Sequence, residues 1–154
     1  VPSADAMRAY GARLADAILA VGLDAPLVIG LSGDLGAGKT TLVSGLLAQL
    51  GHVGPARSPT YSLIEPYRLA DRDVYHCDLY RLKDPGELED LGLRDLLLGP
   101  SILLVEWPER AGDRLRAPDL QLALAYTADG RQLAIGAASA AGRSVATALR
   151  LDPA

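Results

Sequence analysis

The residues best suited to chemistry form one short run, Gly33-Asp34-Leu35-Gly36-Ala37-Gly38-Lys39-Thr40. The run satisfies the pattern G-x-x-x-x-G-K-[ST] at every fixed position. Glycines let successive backbone N–H groups turn inward around an anion, and the run ends where a helix N-terminus adds a favourable potential of its own. In such a loop Lys39 reaches the outer phosphates of a nucleotide and the Thr40 hydroxyl ligates magnesium. Lys39 carries further information through its rarity. It and Lys83 are the only lysines among 15 basic residues, so this chain uses Arg wherever a generic cation suffices. A lysine kept at position 39 implies a site that takes a compact ammonium rather than a broad guanidinium fork.

Phosphoryl chemistry at such a loop also needs a carboxylate at the end of a neighbouring strand, to hold magnesium or orient the attacking water. Two acids close apolar runs of that kind. Glu106 follows Ile102-Leu103-Leu104-Val105, the form of a Walker B strand, and Asp78 follows Val74-Tyr75-His76-Cys77. The structural alternative for each is a solvated strand-end carboxylate. Ser58-Pro59-Thr60 falls where nucleotide hydrolases keep the segment that senses the terminal phosphate. A Thr60 hydroxyl on that proline-fixed turn could complete the magnesium shell; an ordinary turn is the alternative. Trp107, Tyr61 and Tyr80 are expected as core or edge anchors. His76, on an apolar strand beside Cys77, is expected as a packed core residue. The chain has no Asn and so cannot form the N-K-x-D guanine-reading motif; ATP is therefore the expected nucleotide.

These residues need particular elements to place them. Met7, Tyr10, Leu14, Ile18 and Val21 recur at helical spacing and predict a helix stopping near Gly22. Leu27-Val28-Ile29-Gly30-Leu31 predicts a buried central strand before the glycine loop, and Thr40–Leu50 a helix after it, stopped by Gly51. Strands are expected over Tyr61–Arg68 and Val74–Tyr80, around the polar turn at 70–73. Pro85–Leu98 is expected to be helical with a break at Gly92, and Ser101–Trp107 to be a second buried strand. Leu120, Leu122, Leu124 and Tyr126 alternate strictly, as do Leu133 and Ile135, which predicts a hairpin turning at Asp129-Gly130. Ala140–Leu151 predicts a last helix. The fold class expected is α/β, a P-loop NTPase-like mixed sheet with parallel core strands flanked by antiparallel hairpins and helices, as one domain over residues 1–154.

Composition limits the partners. A formal net charge of −4 argues against a surface built to neutralise nucleic-acid phosphates, so no direct high-affinity tRNA binding is expected. The single cysteine, Cys77, cannot form an internal disulfide, and one Cys with two His cannot build a zinc site. No apolar run approaches the roughly 18 residues of a membrane span. No basic stretch followed by an apolar one opens the chain, and a cytoplasmic location without membrane partners is expected.

Taken together, "GDLGAGKTT", "SPTY", "YHCDLYRL", "GELEDLGLRD" and "LLVEWPER" resemble the TsaE (YjeE) family of bacterial proteins, most closely from Gly33 to Arg110. The resemblance implies an accessory ATPase of tRNA threonylcarbamoyladenosine synthesis, working with TsaB and TsaD and stimulated by them. It implies that Gly33 to Thr41 hold the phosphates of ATP, Thr40 and Glu106 ligate Mg2+, and Thr60 lies on a switch segment. It further places Asp78 beside the metal and the attacking water, Trp107 at the flank of the site, and Arg131 near the nucleotide. Tyr61 stands where the family commonly has Phe, and the Ala-rich C-terminal tail carries no motif that aligns.

Two other functions compete. A small-metabolite kinase would use Arg110, Arg114 and Arg116 as a phosphate-clamping lid, although no acceptor-binding insertion is visible. A nucleotide-gated binding module would hydrolyse ATP incidentally and dock a partner through Glu87–Leu98.

Overall fold

The computed structural model describes residues 1–57, 63–69 and 72–151, with residue 151 described by its backbone alone. The N-terminal stripe folds as α1 (Ala4–Val21), with Ser3 accepting the Ala6 N–H at 3.1 Å as its cap. Strand β1 (Leu27–Ser32) follows, then the glycine loop and α2 (Lys39–Gln49). The chain continues through β2 (Ile64–Arg68), β3 (Asp73–Asp78), two single turns α3 (Glu87–Asp90) and α4 (Leu93–Leu96), and β4 (Ile102–Glu106). A 3-10 segment (Pro108–Arg114), the hairpin β5 (Leu120–Thr127) and β6 (Gly130–Ala137), and α5 (Ala140–Leu151) complete it.

The six strands form one mixed sheet in the order β2-β3-β4-β1-β5-β6. β3, β4, β1 and β5 run parallel, and β2 and β6 close the edges antiparallel. Successive side chains on a strand point to opposite faces, and both faces are covered. Leu27, Ile29, Leu31, Ile102 and Leu104 pack under α1, α2 and α5. Val28, Leu103, Val105 and Cys77 pack on the other side against Leu88, Leu93 and Ala111. Double burial is why β1 and β4 are continuous apolar runs.

α1 and α2 cross with their backbones in contact. A Cβ on Gly45 would lie 2.0 Å from the Arg8 carbonyl oxygen, and one on Gly11 would lie 2.1 Å from that of Leu42. This crossing matters for function because α2 begins at the glycine loop.

Several boundaries differ from the sequence expectation. α2 starts at Lys39, one residue early. β3 ends at Asp78 rather than Tyr80, because Leu79 leaves the strand and its N–H bonds the Glu106 carbonyl at 3.1 Å. β4 ends at Glu106 because Trp107 turns the chain at φ 57°. Thr127 pairs with Gly130, so the hairpin turns at Ala128-Asp129. The expected strand over 61–68 is present from Ile64; residues 58–62, and 70–71 of the expected turn, lie outside the described residues.

Candidate functional site

Leu31, Glu106 and Asp78 are register partners across β1, β4 and β3, so one row at the carboxyl ends of three parallel strands carries both acids. They share the face on which α2 lies. β1 has neighbours on both sides and is followed by the loop, the position where open α/β sheets bind ligands.

The loop backbone depends on its glycines. Gly33 and Gly38 adopt φ 139° and 113°, and a Cβ on Gly33 would lie 2.4 Å from the Leu124 carbonyl oxygen. Gly38 is the N-cap of α2 and contributes no side chain, and the first turn of α2 contains no acid. α1, by contrast, has Ser3 and Asp5 at that end. The positive end of α2 is thus uncompensated by the protein, and its first amides have no carbonyl one turn back. Lys39 is buried, and its ammonium donates to the carbonyls of Gly33 and, at 3.1 Å, of Asp34. It also lies 4.5 Å from the centre of the Trp107 ring. Trp107 is the one non-glycine residue with positive φ among those described, a conformation that costs about 1–2 kcal/mol. Its N–H bonds Leu31 and its carbonyl accepts from Arg110, which holds it there. A cavity of about 260 Å3 is lined by Leu35, Gly36, Gly38, Lys39, Thr40, Thr41, Asp78, Glu106 and Trp107, every one a residue singled out from sequence.

The two acids differ in surroundings. Glu106 is buried, and its Oε2 is 2.7 Å from Nε2 of His76. Asp78 is half-buried and accepts the Tyr80 N–H at 3.0 Å. Burial pushes the Asp78 carboxyl above the ordinary carboxylate range, and the charge of Glu106 adds to this. The Tyr80 N–H, His76 and Lys39 pull the other way without cancelling it. A carboxyl raised in this way is a better proton acceptor near neutral pH. Burial, reinforced by Asp78 and Glu106, pushes the Cys77 thiol up to about 12, so Cys77 is a packing residue.

Some expected residues serve the site from outside the cavity. Gly33 and Asp34 hold Lys39 through their carbonyls, and Ala37 is packed into the core. Arg131 donates to the Gly36 carbonyl at 3.3 Å and stacks on Tyr126, whose hydroxyl donates to Leu35. It braces the loop from the β5–β6 hairpin. The three arginines of the supposed lid do not converge. Arg110 stacks on Tyr80 and Trp107, Arg114 pairs with Glu89, and Arg116 bonds Asp119 and the Pro26 carbonyl below β1. Thr60 lies outside the described residues. Sequence reasoning missed His76 as a partner of Glu106. The signal was strand parity, since His76 and Asp78 share a face two residues apart.

Thr40, Glu106 and Asp78 offer hard oxygen donors. Among the described residues no group of three or more His, Cys, Asp or Glu forms a protein-only cage. Such a donor set suits a cation that takes most of its ligands from phosphate and water, as Mg2+ does. Among the described residues no helix is long and apolar enough to cross a membrane.

The chain is similar to known proteins along most of its length. It is 39% identical over 148 residues to the tRNA threonylcarbamoyladenosine biosynthesis protein TsaE of Haemophilus influenzae, covering 96% of this chain and 94% of that one. The protein of the same name from a Nostoc species is 48% identical over 92 residues, covering 57% and 56%. The crystal structure of YdiB from Bacillus subtilis superposes with a TM-score of 0.74 at 27% identity, covering 97% of this chain and 90% of that one. The family model described as threonylcarbamoyl adenosine biosynthesis protein TsaE matches residues 1–133. With that match and a relative 39% identical over nearly the whole of both chains, this chain belongs to the TsaE family of threonylcarbamoyladenosine biosynthesis proteins.

Proposed function

We propose that this chain is a magnesium-dependent ATPase that supports tRNA threonylcarbamoyladenosine modification as the accessory subunit of a complex with TsaB- and TsaD-like proteins. The observation that carries this reading is the single row of Glu106 and Asp78 facing a glycine loop that closes on the buried ammonium of Lys39. The amides of the loop and of the first turn of α2 would bind the β- and γ-phosphates, with Lys39 exchanging the Gly33 and Asp34 carbonyls for phosphate oxygens. Thr40 and Glu106 would hold the metal. Magnesium held there would supply the positive charge that offsets negative charge developing on the phosphate oxygens. Asp78 would orient the attacking water and accept its proton. Trp107 walls the Lys39 side, and Thr60 would complete the terminal-phosphate sensor. The acidic net charge favours tRNA contact through the partners rather than through this chain.

Purified protein should convert ATP to ADP slowly without an acceptor, and TsaB–TsaD should accelerate it. Lys39→Ala should weaken ATP binding roughly 10- to 100-fold by calorimetry, the value of charge-assisted hydrogen bonds worth about 1.5–3 kcal/mol. Unchanged affinity in folded Lys39→Ala protein refutes the assignment. ADP formation that requires a metabolite acceptor would favour a kinase instead.

A further inference from the structure

His76 stands on β3 opposite Leu104 of β4, two register steps before the pair Asp78 and Glu106 and on the same face of the sheet. The site as proposed leaves it without a task. The His76 and Glu106 side chains are 0% and 4% exposed, and Nε2 and Oε2 are 2.7 Å apart. Nδ1 of the same ring is shielded and has no hydrogen-bond partner among the described residues. The ring thus directs its hydrogen bonding to Glu106 alone. A carboxylate that ligates a metal ion only accepts hydrogen bonds, so in that role Glu106 requires Nε2 to carry the hydrogen.

Stability does not account for this arrangement. His76 lies between Val74 and Asp78 on its strand face and beside Leu104, where an aliphatic side chain would pack without an unpaired Nδ1. Buried ion pairs replaced as a whole by apolar residues are often neutral or stabilising, so stability does not require a polar pair here. We infer that His76 is a positioning residue for Glu106. It holds Oε2, restricts rotation of the carboxyl group, and leaves Oε1 as the oxygen that His76 does not engage. Glu106 then enters the magnesium shell through one prearranged oxygen. The inference rests on the proposed reading of Glu106 as a metal ligand.

The test titrates Mg2+ into protein with the non-hydrolysable analogue AMP-PNP and follows nucleotide affinity by calorimetry. His76→Leu should raise the Mg2+ concentration needed for tight binding by about 10- to 100-fold, the usual effect of losing a hydrogen bond to a ligating carboxylate. Magnesium-free affinity should be unchanged, and His76→Gln, whose amide donor can take the place of Nε2–H, should recover most of the loss. In a Glu106→Ala background His76→Leu should cost nothing further. Parental magnesium dependence in His76→Leu, or a further loss in the Glu106→Ala background, overturns the inference and leaves the ATPase reading standing. A parental protein whose nucleotide affinity ignores magnesium overturns both. Should His76→Leu not fold, nitrogen-15 spectra of the parental protein decide, with His52→Gln assigning the signals. A slowly exchanging Nε2–H on His76 supports the inference, and a ring proton on Nδ1 alone overturns it.

Discussion

Asp78 is half-buried with the Tyr80 amide on its Oδ1, whereas Glu106 is buried with His76 on its Oε2. Two carboxylates in one row are therefore suited to separate tasks, because environment sets what each can do. Asp78→Asn keeps the shape and the Tyr80 hydrogen bond but removes the proton acceptor. Single-turnover hydrolysis should fall by about 100-fold or more, the usual contribution of a general base, with nucleotide affinity nearly unchanged. Glu106→Gln should instead move the magnesium dependence. Equal, parental hydrolysis rates in both variants would show that neither acid acts.

At the scale of elements, the loop can be no better placed than α2, and α2 is positioned by α1. The crossing at Gly11 and Gly45 leaves no room for a methyl group. Helix propensity alone says that Gly45→Ala should stabilise α2, by about 1 kcal/mol. A Cβ 2.0 Å from the Arg8 carbonyl oxygen faces backbone rather than a movable side chain, and overpacking of this kind costs about 1–3 kcal/mol or more. The clash should win. Gly45→Ala should lower the melting temperature and, by tilting α2, weaken ATP binding as well. A variant that melts higher than the parent would mean that the two helices separate easily.

Across the whole molecule, Asp119 ties the sheet together at the end opposite the loop. Its Oδ2 accepts the Val28 N–H at 2.8 Å and Arg116 at 3.0 Å, while its backbone bonds Val28 and Ala138. Burial pushes the Asp119 carboxyl up, but the hydrogen bonds from Arg116, Val28 and Ser139 outweigh it and leave the group below the usual carboxylate range. A carboxyl lower in the folded than in the unfolded chain stabilises above the unfolded value of about 3.9, and the contribution is lost as pH falls through the folded value. Asp119→Asn should therefore melt lower at pH 7, by about 2–4 °C for each kcal/mol lost. That difference should shrink as pH falls below about 3.9 and vanish only below the folded value. A gap independent of pH would assign the effect to packing rather than charge.

The glycine loop, both acid-ended strands and the hairpin were legible in the sequence because each is a local pattern. Lys39 and Thr40 follow the last loop glycine directly, and Glu106 and Asp78 each close their own apolar run. Asn is absent altogether, so composition alone excluded the N-K-x-D motif. Tertiary structure decided which of these patterns meet. The order β3-β4-β1 sets Asp78, Glu106 and Leu31 in one row, and no spacing along the chain contains a register between strands. The same register gave His76, buried as expected, Glu106 as its partner, and the chain after β4 sends Arg110, Arg114 and Arg116 to separate partners. Hydrogen bonds between residues 30 apart depend on strand pairing, which local periodicity does not encode.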